Sequence, residues 1–126
     1  MTLGRHRWAV SAGWIPLRSN GVEPAFTSRD QISLLNTGPR PAEVSLTLFH
    51  DDRDPVGPYR LVVPPRRMRR VRINDLIDPE APPLDQAYGV VIDAAAPIVV
   101  QFTRQDTTAR TAAGLAALAF PARNGD

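Results

Sequence analysis

Cysteine is absent from this chain, and so is lysine. The first absence removes disulfides, thiolate nucleophiles and thiolate metal sites together. The second leaves arginine to carry all 15 basic charges, each a planar fork able to grip a carboxylate or phosphate through two bonds. His6 and His50 are the only histidines, so few acid–base constellations can be built. No apolar run approaches the roughly 20 residues needed to span a bilayer. The run Trp8 to Pro16 after Arg5 and Arg7 is too short, and too broken by Ser11 and Gly13, for a secretory leader, and reads as a first strand. A soluble, cytoplasmic protein is expected.

Proline, by contrast, is abundant: 13 of 126 residues, about twice ordinary usage. It breaks helix interiors and cannot donate to a sheet ladder, so this many imply short strands joined by tight turns. An apolar fraction of 43% supports one folded core, and the length allows a single domain. Thirteen acids nearly balance the arginines, leaving a net charge of +2. That is too small an excess to indicate nucleic acid as a partner.

Short apolar or alternating segments bounded by Pro, Gly, Asn and Asp predict strands at Arg7 to Ala12, Gln31 to Asn36, Glu43 to His50, Tyr59 to Val63, Arg69 to Ile73, Ala87 to Asp93 and Ile98 to Thr103. In the third, Val44, Leu46, Leu48 and His50 share one face, with Ser45, Thr47 and Phe49 opposite. Ile98 to Val100 reads as covered on both faces. Loops are expected at Leu17 to Arg29, Thr37 to Ala42, Asp51 to Pro58 and Leu76 to Asp85. Pro55 to Pro58 reads as a rigid turn in which Gly57 takes a positive φ. Turn signals every 8–12 residues or so are those of an antiparallel β-sandwich. Thr107 to Phe120 is ambiguous, since its alanines favour helix while its alternation fits a strand. The domain is set at 1–120, with 121–126 a flexible tail.

Enzymatic motifs are wanting. No nucleophile elbow accompanies either histidine, and no glycine-rich phosphate cradle occurs. His50, Asp51, Asp52 and Asp54 lack the spacing of a calcium loop and read as solvated acids entering a turn. Neither catalytic residue, metal nor cofactor is indicated.

What stands out is Arg66, Arg67, Arg69, Arg70 and Arg72, followed by Asp75, Asp78, Glu80 and Asp85. If Val71 and Ile73 face the core, Arg70 and Arg72 face away and Arg69 falls at the core's rim. Three readings stay open. The charges form an ion-pair network, in which each exposed pair contributes only about 0–1 kcal/mol. They form an anion or polar-ligand site. Or they form a docking face for an acidic or membrane-proximal partner.

Four ordered blocks then give a family resemblance. The first is Gly4, Trp8-Ala9, Gly13 and Ile15-Pro16, with Asn20-Gly21, Glu23-Pro24, Phe26 and Ser28. The second is Leu35-Asn36 with Gly38. The third runs Pro55-Val56-Gly57-Pro58-Tyr59-Arg60-Leu61, then Arg66-Arg67, Val71-Arg72, Asn74-Asp75-Leu76 and Asp78-Pro79. The last is Pro97 to Gln101 with Thr103-Arg104 and Asp106. Together they resemble the sensory rhodopsin transducer family from Gly4 to about Phe120. Phe102 and Arg70 depart from it, each standing where the best-known cyanobacterial member has histidine.

The resemblance implies an all-β, jelly-roll-like sandwich of about eight strands, a final strand within Thr107 to Phe120, and a cytoplasmic homotetramer. It also implies a signalling, non-enzymatic role beside a membrane-embedded sensory rhodopsin. The alternative it leaves open is a module binding a sugar or related polar metabolite. The polar residues in its blocks are the candidate ligand or partner contacts: Trp8, Glu23, Asn36, Arg60, Arg67, Arg72, Asn74, Gln101, Thr103 and Arg104. An indole beside amides, an acid and arginines suits a sugar, whose C–H faces stack on the ring. Core packing competes for Trp8, and local turn bonding for Asn74 and Asp75.

Overall fold

Period-two alternation is realised as eight antiparallel strands in a computed structural model that describes residues 3–16, 29–106 and 113–121. They are β1 (Arg5–Trp14), β2 (Arg29–Asn36), β3 (Ala42–His50), β4 (Val56–Val63), β5 (Arg67–Arg72), β6 (Ala87–Asp106), β7 (Ala113–Leu118) and β8 (Phe120–Pro121). A front sheet has the order β4-β3-β6-β1-β8. In a back sheet β2 lies between β5 and β6, and β7 pairs the other side of β6. The inner faces meet in one core. Ile32, Leu34 and Val100 come from the back sheet, and Val44, Leu46, Leu48 and Ile92 from the front, all buried. Truncating a leucine such as Leu46, fully buried, costs about 2–5 kcal/mol through lost burial and a cavity.

The 20-residue β6 joins the two sheets. Its first half pairs β3 as far as Ala94. Its second half pairs β2 from Val99 onward, and Ile98 faces Arg5 of β1. Ala95 to Pro97 has no ladder partner in either sheet, so a proline without an N–H is tolerated there. The sequence reads this stretch as a break between two strands. It is instead the point where one strand changes sheets. The Ile98 to Val100 segment is also less enclosed than expected, with Ile98 and Val100 buried but Val99 only half-buried.

The remaining strands match the alternation closely. Val44, Leu46 and Leu48 are buried and His50 half-buried on one side of β3. The strand expected to end at Ile73 ends at Arg72, and Ile73–Asp75 forms a single 3-10 turn carrying buried Ile73. β4 begins inside the expected Pro55 to Pro58 turn, and Gly57 has a φ of 159°. The segment around Thr107 to Phe120 is extended where described, with β7 on β6 and Phe120 opposite Ala9. Pro121, set in the tail from sequence, pairs with Trp8 in β8. The Leu17 to Arg29 loop lies outside the described residues except for Arg29, which opens β2.

Candidate functional site

Three polar side chains occupy positions that alternation assigns to the interior. Asp30 is in phase with Ile32 and Leu34, Tyr88 with Val90 and Ile92, and Arg104 with Val100 and Phe102. They meet. Asp30 is fully buried; its Oδ2 accepts the Trp14 backbone N–H at 2.8 Å and the Tyr88 hydroxyl at 2.6 Å. Its Oδ1 accepts Arg104 Nε–H at 3.0 Å. Arg104 also donates from Nη2 to the Ala12 carbonyl at 3.3 Å. The Asp30 N–H donates in turn to Asn74 Oδ1 at 3.3 Å.

A buried carboxylate is tolerable only when paired and hydrogen-bonded, and this one accepts three hydrogen bonds. Burial drives the Tyr88 phenol far above its ordinary pKa, and the Asp30 charge and hydrogen bond push the same way. The cluster ties β1, β2, β6 and the 3-10 turn together. With Asp30 fully enclosed, it acts as a lock rather than as an acid or base for an incoming molecule. Arg104 and Asn74 were candidates from sequence, whereas Asp30 and Tyr88 were missed.

Two further candidates are turned inward. Asn36 is fully buried; its Nδ2 donates to the carbonyls of Arg40, Val63 and Pro64, and its Oδ1 accepts the Gly38 N–H at 2.9 Å. Trp8 is only 9% exposed, and its indole N–H is shared between the carbonyls of Arg5 and Ile98. Its ring packs in the core. Glu23 lies outside the described residues.

Arg72, Gln101 and Thr103, in contrast, share the outer face of the back sheet. The register sets Arg72, Gln31 and Thr103 in one row and Arg70, Ser33 and Gln101 in the next. A third row, Met68, Leu35 and Val99, is apolar, with Met68 and Leu35 exposed. Each row spans three strands, about 10 Å from first to last Cα. The result is a flat, amphipathic face with donors and acceptors at one end.

Arg60 belongs to the other sheet, where Arg60, Ser45, Asp93 and Arg7 form a row across four strands. Arg7 Nε donates to Asp93 Oδ1 at 2.6 Å. A groove of about 420 Å³ opens there between Glu43, Ser45, Arg60, Val62 and Asp93. Arg67 is exposed at the start of β5, and its side chain bonds its neighbour, the Arg66 carbonyl. Arg69 reaches the Val62 carbonyl at 2.8 Å, satisfying an acceptor on the open edge of β4.

Of the pairings expected between the arginine cluster and the acids after it, one ion pair forms among the described residues, Arg72 with Asp75 at 3.8 Å. Glu80 pairs instead with Arg53, outside the cluster.

A single β-sandwich whose buried Asp30 and Asn36 are satisfied within the fold, and whose remaining candidate polar contacts lie mostly on flat sheet faces, has the build of a binding or relay module. The family model for the Anabaena sensory rhodopsin transducer matches residues 3–121, and the chain belongs to that family. A solved structure of the Anabaena sensory rhodopsin transducer is 46% identical over 81% of this chain and 98% of its own, with a TM-score of 0.74. The crystal structure of Thermotoga maritima 1070 superposes with a TM-score of 0.84 over 96% of this chain and 97% of its own. At 21% identity that likeness concerns the fold alone. No curated protein matches the sequence.

Proposed function

We propose that this chain is a non-enzymatic transducer that relays the state of a membrane-embedded sensory rhodopsin, working in the cytoplasm as a homotetramer. The family match over residues 3–121 carries this reading. Two features agree with it. No helix among the described residues is long and apolar enough to cross a membrane. The outer face of the back sheet pairs an apolar row, Met68-Leu35-Val99, with rows bearing Arg70 and Arg72. Such a face suits a partner surface that is apolar in the middle and acidic at its rim.

The test is binding to detergent-solubilised rhodopsin from the same source. Wild type is expected to bind in a salt-sensitive way, because charged docking faces are screened. Leu35→Asp and Gln101→Glu, both at exposed positions, should abolish capture while leaving the fold intact. Capture that is absent in wild type, or that persists at the wild-type level in both variants, defeats the reading.

A polar metabolite on the same face is the second reading, supported by the Arg72-Gln31-Thr103 row. It lacks the stacking platform expected from sequence, because the Trp8 ring is committed to the core. A rise in melting temperature with a sugar or sugar acid, lost in Arg72→Ala, would favour it over docking.

A further inference from the structure

The arginine cluster is only partly absorbed by these roles. β4 and β5 are the open edges of the two sheets on one side of the sandwich, joined by the Pro64-Pro65-Arg66 turn. Between them lies a crevice of about 240 Å³ lined by Arg60 from the front sheet, Arg69, Arg70 and Arg72 from the back sheet, and Asp75. Four arginines and one aspartate thus line it. Neither Arg60 nor Arg70 has a hydrogen-bond or ion-pair partner among the described residues. Arg72 Nε is buried and donates to nothing, since Asp75 Oδ2 at 3.8 Å is too distant for a hydrogen bond. A buried, unused charged donor is costly and calls for an acceptor.

We propose that this crevice is an oxyanion site for a phosphate monoester group. With four arginines against one aspartate, the lining keeps an excess of three positive charges. A phosphate monoester brings about −1.5 to −2 charges and three strong acceptor oxygens, enough to engage several forks at once. The volume is below the roughly 300–1,000 Å³ of sites that enclose a whole small molecule, so it takes the phosphoryl group and leaves the rest outside. Arg60 and Leu61 also line the 420 Å³ groove on the front sheet, which gives that remainder a path. Arg60 and Arg69 lie off the back-sheet docking face, so the site stands whether or not a rhodopsin is the partner.

Calorimetric titration of the intact protein with sodium phosphate, against sodium chloride at equal ionic strength, tests this. Saturable binding is expected for phosphate alone. Arg60→Ala and Arg70→Ala should each weaken it about tenfold or more, as expected for losing a charged hydrogen bond. Arg67→Ala, outside the crevice, should bind as wild type does. Lowering the pH from about 8 to about 5 should weaken binding of inorganic phosphate and of a monoester alike, as each dianion takes up a proton, the monoester with a second pKa of about 6. Glycerol phosphate and vesicles containing phosphatidic acid separate the two sources of the group. Binding of the free ester assigns a metabolite, and binding to vesicles alone assigns a lipid headgroup. Equal response to chloride and phosphate overturns the proposal, as does indifference to Arg60→Ala and Arg70→Ala. Binding only to polyglutamate would also overturn it, and would make the crevice a protein-docking surface.

Discussion

The hydroxyl of Tyr88 donates a 2.6 Å hydrogen bond to the buried carboxylate of Asp30, joining residues 58 apart in sequence at one end of the sandwich. The bond does more than fill a lone pair. Asp30 is the second residue of β2, while its other partners, Trp14 N–H and Arg104, sit at the end of β1 and near the end of β6. Residues at or near the ends of three strands therefore converge on one charge. Coil ends that would otherwise fray are held by a group whose burial is favourable only while all its partners stay in place.

Removing one partner should expose that dependence. Tyr88→Phe takes away one of three bonds to Asp30 and is expected to cost about 1–3 kcal/mol. Asp30→Ala should cost about 3 kcal/mol, the lower end for a broken buried pair, because Arg104 keeps 25% of its surface exposed. Urea midpoints at unchanged m would report both. A wild-type midpoint for Asp30→Ala would show that the cluster contributes nothing.

The same cluster makes stability depend on alkaline pH. Tyr88 and Tyr59 both titrate above the ordinary phenol value of 10.0 in the folded protein, chiefly because burial disfavours their charged forms. The unfolded chain therefore loses those protons first, and the folded state binds more protons above pH 10.0. Stability is expected to be full below that pH and to fall as pH rises past it. With no lysine and no cysteine, these two tyrosines are the side chains that titrate in that window. Tyr88→Phe should flatten the fall, and a flat profile in wild type would contradict the assignment.

Much of this was readable in the sequence, though not its joining. The alternation of Val44, Leu46 and Leu48 stated the inner face of β3 outright, because local pattern and burial agree there. β6 was not readable as one strand, since Ala94 to Pro97 looks like a break and only tertiary neighbours reveal the change of sheet. Asp30 was missed by one residue, because the second strand was started at Gln31. The available signal was an acid, a phenol and an arginine, each in phase with an apolar stripe. Their pairing was not in the sequence, as it spans up to 74 positions. Trp8 and Asn36 were selected by type, yet type does not tell a ligand contact from a side chain satisfying nearby carbonyls.

Close approach, rather than conformational freedom alone, should govern the glycines. A Cβ on Gly13 would collide with Tyr88 Cζ, and that ring is tethered by its bond to Asp30. Gly13→Ala should therefore cost about 3 kcal/mol by overpacking. At Gly57 the added Cβ would approach the Leu46 carbonyl oxygen to 2.8 Å. Gly57→Val is expected to cost about 1 kcal/mol or more, and coincident denaturation midpoints would mark Gly57 as an ordinary loop residue.

Asn36 offers a cleaner case of polar satisfaction in the core. Its amide nitrogen faces the carbonyls of Arg40, Val63 and Pro64, three acceptors with one source of protons. Asn36→Asp places a carboxylate oxygen against those acceptors and should be worse than Asn36→Ala. The expected losses are about 3 kcal/mol or more against about 2 kcal/mol. Thermal melts that rank the variants in the reverse order would mean that shape, not hydrogen bonding, selects asparagine.

Assembly is tested through the exposed apolar side chains. Phe120, in the two-residue β8 on the edge of the front sheet, is 71% exposed, and among the described residues most of β1 beyond it has no partner on that side. Open edges and large exposed apolar side chains favour association, which natural proteins direct into a defined interface or block with charge. A homotetramer covering this edge should scatter light as about four times the 13.8 kDa chain at micromolar concentration. Phe120→Asp, which places a charge on the edge, should lower that mass while leaving the far-ultraviolet β signal unchanged. A wild-type mass of one chain defeats the tetramer outright. A fourfold mass that survives Phe120→Asp moves the interface to another face and leaves the β8 edge exposed in the assembly.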